Sequence, residues 1–221
     1  MQKHWDSYES LDWGNEVRSL EEKIKGIFIT TGFLPTTGSS PDIALVVDLA
    51  EVYFEFKKYD YFFNVLISEE VSNADNVLAI LVGIREQVMV GQVLYHIQDA
   101  EAFLQKAIVF FSTKAGDINI DVPAPKGYEK LANSEELFEQ VSMRLLALGI
   151  TGIPKDLVPL FSKIYRELNY YDYLIDEFLI VASRNIAGLG KLLEECRICF
   201  TMLKNDINLI KRPFNKLINS L

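Results

Sequence analysis

The residues that most limit what this chain can fold into are Leu157, Phe161, Ile164, Leu168, Tyr171, Ile175 and Phe178, which recur at alternating spacings of four and three. That spacing puts all of them on one stripe of an α-helix, and on no single face of a strand. A second series, Leu45, Leu49, Val52, Phe56, Tyr59, Phe63 and Leu66, lies 112 residues earlier and keeps an apolar or aromatic residue at every equivalent place. The stretch EVYFEFKKYDYFF (51–63), strand-like in its Phe and Tyr content, therefore reads as helix.

The correspondence extends beyond these stripes. YESL at 8–11 faces YEKL at 128–131, Thr31-Gly32 faces Thr151-Gly152, and Asn76-Val77 faces Asn185-Ile186, with shifts in offset where loops are expected. Such self-similarity is the mark of a duplicated supersecondary unit. The expected fold is all-α: a bundle of about six helices made by tandem duplication of a three-helix unit in a pseudo-twofold arrangement. The first repeat covers 1–113, a connecting segment 114–132 and the second repeat 133–221, the two packing as one unit. The helices are expected near 8–31, 41–70, 74–112, 134–149, 155–182 and 184–219.

The punctuation supports these limits. TTGFLP and TGIP are helix stops, where Gly takes the left-handed C-terminal position and Pro forbids continuation. Ser40 before Pro41, and Asn133 or Ser134 before two acids, are helix starts. The last helix carries a series from Ile186 through Leu189, Leu193, Cys196, Phe200 and Leu203 to Leu221, and Pro213 within it predicts a kink or a fresh short helix.

Charge narrows the partners. The net charge is −9, and residues 1–112 hold 8 Lys and Arg against 17 Asp and Glu, so the whole excess of acid lies in the first half. Nucleic-acid backbones attract Lys and Arg clusters, so no nucleic-acid partner is expected, and the acidic half suits another protein. The segment 76–98 is the least charged long stretch, but Arg85 and Glu86 interrupt it, and a spanning helix needs about 20 mostly apolar residues. No secretory signal is expected in MQKHWDSYESLDWG. Two cysteines and no N-x-S/T site suit a cytoplasmic setting.

Little in the sequence supplies catalytic chemistry. Cys196-x-x-Cys199 lies in mid-helix, with Cys196 on the apolar stripe, which fits core thiols better than a redox pair. His96 has no Glu-x-x-His or His-x-x-His neighbour, so no metal site is expected, and no phosphate or dinucleotide loop is present. No cofactor follows from this inventory. The one recurring polar set is Tyr53, Tyr59, Asp60 and Tyr61 with Tyr165, Tyr171, Asp172 and Tyr173. If the repeats pack through these helices, two Tyr-Asp sets meet and can bind a polar ligand or share a proton. The competing reading makes the tyrosines stripe residues, with the aspartates accepting phenol hydrogen bonds at the core edge.

The expected function is a non-enzymatic helical interaction module, an adaptor, scaffold or inhibitor with an acidic N-terminal half. The alternatives are a small-ligand sensor or small enzyme with a pocket between the repeats, and a membrane-active helical protein. Oligomeric state is not legible at this level.

Overall fold

The computed structural model describes residues 13–37, 41–67, 74–85, 92–115, 134–182 and 186–220. Among them are seven helices and no strand: α1 (Trp13–Thr30), α2 (Pro41–Ile67), α3 (Ala74–Ile84), α4 (Gln92–Ala115), α5 (Ser134–Ala147), α6 (Leu157–Ala182) and α7 (Ile186–Ile218). The count exceeds six because the helix expected over 74–112 is described as two, α3 and α4. Most of the connecting segment, and Ser40 and Asn133, lie outside the described residues.

The four-three stripes are where the burial is. Leu157, Phe161, Ile164, Leu168, Tyr171, Ile175 and Phe178 of α6 are all buried, as are Leu189, Leu193, Cys196, Phe200, Leu203, Ile207, Ile210, Phe214 and Leu217 of α7. On α2, Leu49 and Val52 are buried and Leu45 is partly so, whereas the side chains of Phe56, Tyr59, Phe63 and Leu66 lie outside the described residues. Helix α2 touches α1, α3, α4, α5 and α6. A helix with neighbours on so many sides buries residues around much of its circumference, as Val46, Leu49, Ala50, Val52 and Phe54 do here. One contiguous apolar cluster draws residues from all seven helices.

Two helix ends close in the same way. Gly32 adopts φ +76° while Phe33 N–H donates to Phe28 O at 2.9 Å and Gly32 N–H to Ile29 O at 3.0 Å. At the end of α5, Gly149 adopts φ +80°, Ile150 N–H donates to Leu145 O at 3.0 Å and Gly149 N–H to Leu146 O at 2.9 Å. Both are Schellman closures, which need a residue free of a Cβ penalty in the left-handed region. The expected stop at Gly152 is thus displaced to Gly149. The TGIP run misled because its Pro marks the following loop, while the apolar residue that folds back is Ile150.

Helix α7 runs through Pro213 from Ile186 to Ile218, so no fresh helix begins there. Proline removes the donor that Leu209 O would meet one turn earlier. Leu209 is exposed, so water can take that carbonyl. Near the start of α7, a Cβ built on Gly190 would lie 3.3 Å from Phe111 Cβ, a close approach of α7 to α4 that a larger residue would push apart.

Candidate functional site

The seam between α2 and α6 joins the N-terminal and C-terminal halves, and it is where the sequence expected two Tyr-Asp sets. From α2 come Tyr53 and Lys57; from α6 come Asp172 and Asp176. Lys57 Nζ lies 2.9 Å from Asp172 Oδ1 and 4.8 Å from the centre of the Tyr53 ring. Burial, and then the charge of Asp172, hold the Tyr53 phenol above its ordinary range. Burial and the neighbouring Asp172 likewise raise Asp176. The structure therefore brings Tyr53 and Asp172 together, with Lys57 between them.

The remaining expected residues are placed differently. Tyr171 is fully buried, packs 4.7 Å centre to centre against Phe200, and donates its hydroxyl to Leu49 O at 2.8 Å. Tyr173 stacks on Tyr170 at 6.4 Å, and Tyr165 is partly buried against the core. The side chains of Tyr59, Asp60 and Tyr61 lie outside the described residues.

A second polar cluster, between α6 and α7, is more deeply enclosed. Glu167 and Asp206 are both buried, and Lys163 Nζ lies 2.8 Å from Asp206 Oδ1, 2.6 Å from its Oδ2 and 4.0 Å from Glu167 Oε1. Burial, then the hydrogen bond to Asp206 and its charge, push Glu167 up to about 8. A buried carboxyl facing a second buried carboxylate favours its neutral form, which is the state this places on Glu167. Lys163 closes the outer end, its side chain 43% exposed.

The Glu167 titration has a sign that can be checked. The unfolded chain releases this proton near 4.5 and the folded chain only near 8, so over that window the folded state holds more protons and stability falls as pH rises. Glu167→Gln keeps the shape and an N–H to donate to Asp206. It is expected to flatten that decline and to exceed the parent's stability by about 1–3 kcal/mol near pH 9, measured by denaturant titration at about pH 5 and pH 9. Parallel pH profiles for the two proteins would remove Glu167 as the source.

His96 belongs to a third contact, its Nδ1 2.7 Å from Asp48 Oδ1 between α4 and α2. Burial holds Asp48 above the ordinary carboxylate range and His96 opposes it. Both thiols are buried, and burial pushes each of them up, while Cys199 Sγ donates to Glu167 O at 3.1 Å. A thiol kept protonated is a poor nucleophile and metal ligand. Among the described residues no group of three or more His, Cys, Asp or Glu is placed to hold a metal ion, and no helix is long and apolar enough to cross a membrane.

Sequence reasoning noted Glu55 and Glu167 in the repeated Tyr-Asp stretches without giving either a role in the site, and passed over Asp206. One signal was available: Glu55 and Glu167 occupy matching places on two helices, and both are buried. A charged residue repeated on an apolar stripe's flank marks an interhelical polar contact, although it does not name the partner. No family model, curated protein or solved structure matches the chain.

Proposed function

We propose that the chain is a non-enzymatic helical interaction module that binds another protein through outward helix faces bearing apolar side chains. The observation that carries this reading is on α5. That helix turns Val141 and Leu145 into the core, yet on its opposite side Met143 is 63% and Leu146 54% exposed. Met and Leu at a spacing of three, beside exposed Glu139, form the kind of amphipathic face that helices use to dock partners. Chemistry at the enclosed polar groups has less support, since Glu167, Tyr171 and both thiols are shut into the core. At the α2–α6 seam, Tyr171 bonds Leu49 O and Lys57 pairs with Asp172, contacts that support adhesion between the halves.

The finer architecture is part of the same proposal: two copies of a three-helix unit related by a pseudo-twofold axis. Helix α1 packs on α2 as α5 packs on α6; α2 packs on α4 as α6 packs on α7; and α1 meets α6 as α5 meets α2. Buried residues correspond at an offset of 110, with Val93, Ile97, Ala100, Leu104 and Ala107 facing Leu203, Ile207, Ile210, Phe214 and Leu217. Ion pairs cross between the halves in both directions, Lys204 of the second half binding Glu101 of the first at 2.5 Å and Lys57 of the first binding Asp172 of the second at 2.9 Å.

The test is capture from the source cells with the intact chain and with Met143→Glu plus Leu146→Glu. A stoichiometric protein partner with the first, and at least about ten-fold less with the second, is expected. Equal partner yield from both, or no partner with either, overturns the reading.

A further inference from the structure

We propose that the outward face of α7 pairs with the same face of a second copy of this chain, the two helices running antiparallel about Asn205. This rests on the reading that apolar outward faces are docking surfaces, and it names the occupant of one of them.

Three observations point to a second copy. Between Lys191 and Arg212 the exposed positions of α7 are Ile198, Thr201, Met202, Asn205, Asn208 and Leu209, none of them ionisable. Ile198 and Met202 are each 41% exposed and Leu209 61%. In a chain of net charge −9, a face without charge is where two copies can meet with least repulsion. Most ionisable residues of this stretch are turned to the flanks, where Arg197 binds Glu194, Lys191 binds Glu195, Lys204 binds Glu101 and Asp206 binds Lys163, while Lys211 reaches the edge of the face and donates to Asn208 Oδ1 at 3.2 Å.

The charges beyond the two ends of this face then set the direction. Glu194 precedes the stripe and Lys216 follows it, and each stands eleven residues from Asn205. An antiparallel pairing centred on Asn205 sets Glu194, together with the Arg197 it binds on its own helix, against Lys216 of the other copy, and lays the stem of Arg212 over Ile198, along a seam of about 33 Å at the usual helical rise. A parallel pairing stacks Arg212 and Lys216 on their own counterparts, which is repulsive. Asn205 falls on the axis, and its side-chain amide both donates and accepts, so two copies satisfy each other. An isologous contact of this kind closes as a dimer.

The mass of the purified full chain, by light scattering and native mass spectrometry over a dilution series, is the experiment. A species of twice 25.2 kDa is expected. Asn205→Lys sets two cations on the axis at an exposed position and is expected to weaken the dimer at least ten-fold, about the effect of like charges brought together. Oxidation of a mixture of Glu194→Cys and Lys216→Cys chains is expected to give a mixed cross-link, while Glu194→Cys alone gives none. Cys196 and Cys199 are buried and add no background. A 25.2 kDa species at every concentration, an Asn205→Lys dimer as tight as the parent, or a Glu194→Cys cross-link with itself overturns the pairing. A monomer that still captures a protein through Met143 and Leu146 overturns the pairing alone, whereas a dimer that captures none overturns the heterologous reading alone.

Discussion

Phe28→Ala is expected to cost about 3–5 kcal/mol of folding stability, a large part of what a domain of ordinary stability has. Phe28 is fully buried, and its ring lies 5.0 Å from Phe103, 5.3 Å from Phe33, 5.5 Å from Phe178 and 6.2 Å from Phe111, measured between centres. Those neighbours come from α4, from the closure after α1 and from α6, so one ring ties α1 to both halves. Alanine removes the ring's transfer energy and leaves a cavity bounded by four other rings that cannot all collapse inward. The melting midpoint should fall by roughly 6–20 °C for a chain of this size. Phe28→Leu, which fills most of the volume, should lose about half as much or less. A Phe28→Ala loss below about 1 kcal/mol would show that α1 does not dock on this core.

What was legible beforehand follows from how each feature is encoded. The α6 and α7 stripes could be read because helix burial depends on spacing along one segment, and every described member from Leu157 to Phe178 and from Leu189 to Leu217 is buried. The stop at Gly32 was readable for the same local reason. The polar contacts were not readable. Lys163 with Asp206, His96 with Asp48 and Lys204 with Glu101 each join different helices, and a partner across helices depends on register and crossing angle. The expected Tyr-Asp set divides along this line. Tyr171 obeys its stripe and meets α2 from inside the core, while Asp172, one residue on, meets the same helix at its partly exposed edge and finds Lys57. A helix advances about 100° per residue, so neighbours in a cluster read from sequence need not share a face.

Tyr171 gives the sharpest separation between these two roles. It is fully buried, and its hydroxyl donates 2.8 Å to Leu49 O, a bond that runs from α6 in the second half to α2 in the first. Burial raises its phenol well above the ordinary range, which favours the protonated form that donates this bond. Tyr171→Phe removes only that bond and is expected to cost about 1 kcal/mol, because Leu49 O keeps its place in the α2 ladder. Tyr171→Ala also removes the ring packed 4.7 Å from Phe200 and is expected to cost about 3–5 kcal/mol. The ratio of the two losses, from denaturant unfolding of both variants, is the informative quantity. A ratio of three or more, approximately, means that the residue works through its ring as a wedge among α2, α6 and α7. Near-equal losses would mean that the hydroxyl bond carries the α2–α6 contact. In that case this seam is held by polar bonds, with Lys57–Asp172 as the next pair to break, and the apolar joining of the halves falls to α4 on α7 and to Phe28 on Phe178.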